Sequence, residues 1–276
     1  MAQISTTRSN LEAVVKGNGE PILTIHGAFW GEAFGPLLDE SPIGNEYRCI
    51  RYWRHGYRHS SSPNGQPYSV DNVVQDAVDV LSDHGHDRAH VVAHSLGGVY
   101  ALHMALSRPE SVQTLTLIEP IVPTPEYAEW GGSFRERVQE AAQNGDFDSA
   151  LDVLLSAIHG GGDYRQVMDP ILPADWWDQC KKDLPSLLMT ELPASREWRF
   201  GPEEASQITC PVLLIRGDKS VPMWVANHNH LLSWLPNAEE QIVSGAGHFE
   251  LMAQPGETAR SLAGFLKKHP IETVKA

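Results

Sequence analysis

One stretch constrains the fold more than any other: His90 to Tyr100, reading His-Val-Val-Ala-His-Ser-Leu-Gly-Gly-Val-Tyr. Val91 and Val92 belong to a short β-branched apolar run, which suits a buried strand. Val99 to Leu106 is rich in Ala and Leu, which suits a helix. Between the two stands Ser95, with Ala93 two residues before it and Gly97 two residues after. A strand that enters a helix through a single serine leaves little room around the turn, so small neighbours are required. This small-x-Ser-x-Gly turn is a nucleophile elbow, with Ala93 in place of the usual first glycine. It lifts the Ser95 hydroxyl above a sheet. It also aims the Leu96 amide and the helix N-terminus at negative charge forming nearby, as an oxyanion hole requires. Read alone, the same residues could be an ordinary strand-to-helix loop beside a glycine pair.

The rest of the chain supplies the sheet. Residues 3 to 16 alternate loosely and break at Gly17-Asn18-Gly19, predicting one or two antiparallel edge strands. Pro21–Ile25, Arg48–Tyr52, Val112–Ile118, Pro211–Ile215 and Gln241–Val243 read as further strands. Arg54 to Gln66, rich in His, Gly, Ser and Pro, reads as a loop. Val70 to His84 has helical spacing and stops at Gly85; Met223–Leu235 and Glu257–Lys268 also read as helices. Between about 121 and 206 the alternation lapses into helical segments near 133–144, 147–158 and 174–192, broken by prolines and by Gly160-Gly161-Gly162. The expected fold class is α/β, a mostly parallel sheet with helices on both faces and a helical cap insertion. The core would be residues 1–120 and 207–276, and the cap 121–206. His26-Gly27, Ser95, Glu119, Asp218 and His248 all fall just after predicted strands, where ligands bind in such sheets.

Composition limits the partners. With 35 acidic and 21 basic residues the net charge is −14, which argues against nucleic acid and anionic membrane surfaces. The three cysteines, Cys49, Cys180 and Cys210, lack metal-ligand spacing and read as buried hydrophobes in a reduced compartment. The N-terminus has no long apolar run, and no apolar segment approaches the length of a membrane span, so a cytoplasmic protein is expected. The 13 histidines form no evident ligand set: His228 and His230 diverge on a helix, and His55 and His59 have no third ligand, so no metal and no cofactor are expected. The expected partner is a small-molecule substrate; nothing in the sequence specifies an oligomeric state.

Four segments together resemble the capped α/β-hydrolases of the esterase, lactonase and dehalogenase-like superfamily: Leu-Thr-Ile-His-Gly after the first core strand, Ala-His-Ser-Leu-Gly-Gly at the elbow, Pro-Val-Leu-Leu-Ile-Arg-Gly-Asp near residue 215, and Gly-Ala-Gly-His-Phe near the end. The last three follow the superfamily's order of nucleophile, acid region and histidine. The resemblance, running from about residue 20 to 268, implies the α/β-hydrolase fold and triad chemistry and leaves the substrate open.

It implies His248 as the base that activates Ser95, since a serine hydroxyl is a weak nucleophile without one. It implies Ala28 as the second oxyanion donor beside Leu96, with His26 shaping that loop. His94 is expected to pack or bond locally. For the acid, the usual position holds Ser220, in Gly217-Asp218-Lys219-Ser220. Some relatives place the acid after the preceding core strand, where this chain has Glu119. Glu119 is therefore taken as the acid, with Asp218 the competing carboxylate; either could orient the histidine. Asp218 could instead be a turn residue bonding its own backbone, and Glu119 an exposed carboxylate before a proline. The serine disfavours dehalogenase and epoxide-hydrolase mechanisms, which form an alkyl ester on a carboxylate. Phe29, Trp30, Trp176 and Trp177 are expected to line the substrate pocket around an apolar group, with Trp130 a further insertion aromatic, although each could equally fasten the cap to the core.

These readings predict a serine hydrolase of carboxylesterase or lactonase type, acting on an ester or lactone with an apolar moiety through an acyl-enzyme on Ser95. Alternatives on the same fold are a C–C bond hydrolase of β-diketone-like substrates, a ligand-binding protein with little turnover, and a cofactor-free oxygenase.

Overall fold

The computed structural model describes residues 2–5, 10–61, 68–161 and 163–272. Among the described residues, eight strands form one sheet in the order β1-β2-β4-β3-β5-β6-β7-β8. These are β1 (Ala2–Ser5), β2 (Asn10–Lys16), β3 (Glu20–Ile25), β4 (Tyr47–Tyr52), β5 (Ala89–His94), β6 (Val112–Ile118), β7 (Val212–Gly217) and β8 (Glu239–Val243). β1 and β2 run antiparallel at the edge, matching the expectation of antiparallel edge strands over residues 3–16, and the Gly17-Asn18-Gly19 break leads from β2 into β3; every pairing from β4 to β8 is parallel. The Arg54–Gln66 loop is described only as far as Ser61 and from Tyr68; residues 62–67 lie outside the described residues.

The period-two alternation of strand side chains divides the core into two layers. Leu23, Val91, Leu117 and Leu214 point to one face, beneath the helices Val70–Asp83 and Gly97–Ser107. Ile22, Val92, Ile118 and Ile215 point to the other, where Leu262 and Leu266 of the closing helix Gly256–Lys268 meet them. Both faces of the central strands are therefore buried, which is why those strands read as continuous apolar runs.

Between β6 and β7 the described residues form helices and no strand. The first begins at Pro125, earlier than the expected 133, and runs to Gln143. Thr124 caps it, its hydroxyl accepting from the Tyr127 amide at 3.2 Å, and Pro125 occupies the first helical position. Packing against Phe147–His159 and Pro222–Trp234 holds Gly131 and Gly132 in the helix despite their low propensity. The single helix expected over 174–192 is three pieces: Trp176–Ser186, a π-helical turn Leu187–Glu191, and Leu192–Glu197. Pro193 has no N–H to return to the preceding turn, and the wider π turn accommodates that loss. No helix among the described residues is long and apolar enough to cross a membrane.

Candidate active site

The C-terminal ends of five parallel strands meet at one rim, where α/β sheets place ligands. After β5, Ser95 takes φ 55°, in the left-handed region that non-glycine residues avoid. Its own backbone holds it there: the Ser95 amide donates to the Ile118 carbonyl at 3.0 Å, and its carbonyl accepts from Gly98 and Ile121 at 2.9 and 3.0 Å. Gly97 must be glycine, because a Cβ there would lie 2.2 Å from the Ile25 carbonyl oxygen. Two further residues at the rim share the strained conformation, Phe29 at 67° and Glu119 at 43°. Such strain persists only where surrounding contacts impose it, and it concentrates at functional sites.

Glu119, at the end of β6, is fully buried. One carboxylate oxygen lies 2.7 Å from His248 Nδ1. The other accepts from the Gly217 amide at 2.9 Å and from the Ser220 hydroxyl. Ser220 thus donates to the carboxylate that ends the neighbouring strand β6. Asp218 faces elsewhere: it accepts from the Gly245 amide at 2.7 Å and from Ser244 at 3.3 Å, tying its own turn to the one after β8.

His248 is sandwiched. The Trp224 indole stacks on it at 4.0 Å and 8°, and the His94 ring lies 4.4 Å away on a tilt. His94 Nε2 is also 3.2 Å from the His248 carbonyl, so His94 braces this loop. With Nδ1 engaged by Glu119, His248 Nε2 has no hydrogen-bond partner among the described residues and keeps its lone pair. Burial lowers His248 from the ordinary imidazole value to about 3, with Glu250 opposing and His159 assisting, so the ring is neutral at neutral pH. Burial raises Glu119 to about 7, against the Ser220 and Gly217 hydrogen bonds, which lower it.

Ser95 opens on a cavity. Ala28 and Leu96, the expected oxyanion pair, both line it, as does Trp224. Its far wall comes from the insertion, chiefly Trp130, Phe134, Leu187, Leu188 and Leu192. The Leu96 amide sits at the start of the helix Gly97–Ser107, where the first N–H groups have no acceptor within the helix.

Phe29, Trp30, Trp176 and Trp177, the expected pocket aromatics, do not line this cavity. Trp30 packs edge-on against Trp176 and Phe249, and its indole N–H donates to Cys180 Sγ at 2.9 Å. Trp176 donates to Asp169 at 2.8 Å, and Trp177 donates to Asp148 at 2.5 Å beneath the Arg165 guanidinium. Phe29 packs against Trp30 and Tyr57. Each of the three indoles has an acceptor; Trp30 and Trp176 fasten the insertion to the loop after β3, and Trp177 ties helices of the insertion together. Trp130 is the insertion tryptophan that reaches the cavity, packed on Phe134 at 4.7 Å.

A buried ion pair that no local sequence pattern announces joins the insertion to the loop after β4. Glu191, on the π turn, meets the Arg54 guanidinium at 2.5 Å, and both side chains are essentially inaccessible. Glu191 also accepts from Tyr100 at 2.7 Å, Tyr68 at 3.1 Å, and Tyr57. Arg54 in turn donates to the carbonyls of His26 and Gly27, the residues preceding Ala28. Replacing one partner strands the other's charge in a dry interior, so Glu191→Gln is expected to destabilise the fold by about 3–5 kcal/mol. The double change Arg54→Met/Glu191→Gln should cost less than the two single changes summed, measured by urea denaturation. Additive losses would show that the pair is not coupled.

Five buried histidines, His26, His90, His94, His228 and His248, are held below the ordinary imidazole value, burial being the largest cause in each. Below about pH 6.5 the unfolded chain therefore takes up protons that the folded chain refuses, and stability falls with pH. Glu119, raised to about 7, and Asp183, raised to about 6, act in the opposite sense because the folded chain keeps their protons. The histidines outnumber them, so Tm is expected to drop steadily as pH falls from about 7 to about 4.5. A Tm that holds or rises over that interval would contradict the burial of neutral imidazoles.

The other histidines are spread out: His55 bonds Asp76, His59 bonds Glu12, His228 bonds Glu240 and His230 bonds Glu126. Among the described residues no three His, Cys, Asp or Glu side chains converge in a way that could hold a metal ion.

A model of the alpha/beta hydrolase family matches residues 22–261. The chain belongs to this family. Among alpha/beta hydrolases of known sequence, it is 27% identical over 245 residues to the proposed carbamate hydrolase RutD of Stutzerimonas stutzeri, covering 83% of this chain and 84% of that one. It is 34% identical over 120 residues to epoxide hydrolase 1 of Caenorhabditis elegans and 33% over 123 residues to a fluoroacetate dehalogenase of a Burkholderia species. Those two matches cover 42% and 41% of this chain and only 27% and 38% of the relatives' lengths. Among solved structures, the enol-lactonase of Burkholderia xenovorans superposes with a TM-score of 0.76 at 18% identity, over 94% of this chain and 97% of that chain. Est816, described as degrading N-acyl homoserine lactones, gives 0.73 at 21% identity, over 96% and 100%. These likenesses establish the alpha/beta hydrolase fold.

Proposed function

We propose that this alpha/beta hydrolase is a serine hydrolase that cleaves a carboxylic ester or lactone bearing an apolar group. The observation that carries the reading is the Glu119–His248 contact of 2.7 Å at the end of β6, together with a strained Ser95 at the end of the adjoining β5 that opens on an apolar cavity. Family membership supports hydrolysis as the reaction class. The lactonase structures that share the fold are compatible with an ester or lactone bond.

In this reading His248 Nε2 takes the Ser95 proton as Oγ attacks the carbonyl carbon. The tetrahedral oxyanion is held by the Leu96 and Ala28 amides, donors of a kind worth about 3–4 kcal/mol of barrier each. His248 then gives its proton to the departing alkoxide oxygen, leaving an acyl ester on Ser95. Water, deprotonated by the same imidazole, attacks that ester and releases the carboxylate and the free serine. Glu119 keeps the Nδ1 proton in place and stabilises the imidazolium that forms. The helical insertion acts as a cap, with Trp130, Phe134 and Leu188 receiving the apolar part of the substrate.

A panel of nitrophenyl esters and lactones of increasing acyl length tests the reading. Turnover that rises with chain length until the cavity is filled is expected. A panel on which nothing is hydrolysed, while small apolar ligands bind tightly, would make the chain a binding protein instead.

A further inference from the structure

The cavity wall is apolar except at one place. Tyr127, Gly131, Arg135 and Gln139 recur every four residues on the helix Pro125–Gln143, so they share one face, and all four line the cavity. Arg196, from the helix Leu192–Glu197, lines it as well. Gly131 makes room for its neighbour: a Cβ there would lie 3.0 Å from an Arg135 guanidinium nitrogen. Arg135 thus folds back along the helix over a position with no side chain.

In a chain of net charge −14, two guanidiniums line this one cavity, Arg135 half-buried and Arg196 exposed at its edge. Among the described residues neither Arg135 nor Arg196 has a carboxylate within ion-pair distance. They repel each other instead: burial and then the nearby Arg135 lower the pKa of Arg196. The Tyr127 hydroxyl, close enough for both arginines to act on its ionisation, has no hydrogen-bond partner among the described residues. Like charges side by side, with an unused hydroxyl next to them, become favourable once an anion sits between them.

We propose that the substrate carries a terminal oxyanion group, carboxylate or phosphate, at the end of its apolar part remote from the scissile carbonyl, and that Arg135 and Arg196 bind it. This rests on the proposed ester or lactone hydrolysis and names the substrate class for that same cavity. The apolar wall takes the chain between the two ends. The guanidinium forks supply the planar donor geometry that carboxylate and phosphate accept. An uncharged ester of the same length would fit the wall and leave the two cations unpaired.

Binding, read without turnover, separates this proposal from the reading beneath it. Three methyl esters of one alkanoic chain length are titrated calorimetrically into the Ser95→Ala protein, their far ends bearing a carboxylate, a phosphate or a second methyl ester. At least one anionic ester is expected to bind about tenfold or more tightly than the uncharged one, and which one does so identifies the oxyanion. That advantage should shrink as salt rises. It should vanish when Arg135→Gln and Arg196→Gln are added, with affinity for the uncharged ester kept within about twofold. Equal binding of all three esters, binding of none, or an anion preference that survives loss of both arginines would overturn the proposal. Hydrolysis of the uncharged ester by the unsubstituted protein reads the ester-hydrolase assignment separately, so either can fail without the other.

Discussion

Replacing Ser95 by Ala, or His248 by Ala, is expected to lower kcat for a good ester substrate about a millionfold, and replacing both should lower it little further. The reason is that nucleophile and base act as one unit. Without the neutral imidazole, the hydroxyl keeps its proton at neutral pH, and without the hydroxyl the imidazole has nothing to activate except water. His248 is enclosed between Trp224 and His94 with Nδ1 on Glu119, so its one chemically available nitrogen is Nε2. The residual rate in each variant should still exceed that in water, because the Leu96 and Ala28 amides and the apolar wall remain. Single-turnover kinetics on a nitrophenyl ester read this directly. Losses that multiply in the double variant would mean that the two side chains act independently.

Glu119→Gln is expected to lower kcat about ten-thousandfold and Asp218→Asn to leave it within about twofold. An amide in place of the Glu119 carboxylate keeps the shape of the site, and the Gly217 amide and Ser220 hydroxyl can still bond its oxygen. It presents no negative charge to His248 Nδ1 and favours the wrong tautomer, which places the proton on Nε2 where a lone pair is needed. Asp218 bonds only its own and the neighbouring turn, so its neutral analogue should disturb the loop and not the imidazole. Ser220→Ala should fall between the two, since it removes one of the three hydrogen-bond partners of the carboxylate. Should Asp218→Asn prove the costlier change, Glu119 would be a structural carboxylate.

The parts legible in the sequence are those governed by local pattern. Val112–Ile118 reads as a strand and is one over the same residues, because β-branched and apolar residues in an unbroken run fit a strand covered on both faces. The elbow is legible because Gly97 answers a steric demand within a few residues of Ser95. Glu119 could be placed at the rim because it follows such a strand, and Ser220 drew notice by standing where an acid was expected. What could not be read depends on contacts distant along the chain. Arg54 and Glu191 lie 137 residues apart, and neither has a local pattern that announces a buried partner. The tryptophans show the same limit. Hydrophobicity says that Trp176 and Trp130 will be covered, but only the packing of the insertion decides that one fastens to Trp30 and the other faces the cavity. Arg135 and Gln139 share a helical face by their spacing, yet the sequence alone does not say what that face looks upon.

The proposed mechanism requires that the imidazole held on Glu119 activate the Ser95 hydroxyl. A fluorophosphonate that reacts only with activated serines tests it, read by intact mass and peptide mapping. One adduct per chain, located on Ser95, absent from Ser95→Ala and slowed about a thousandfold or more in His248→Ala, is the predicted result. An unmodified protein after prolonged exposure, or an adduct on any other residue, would contradict it.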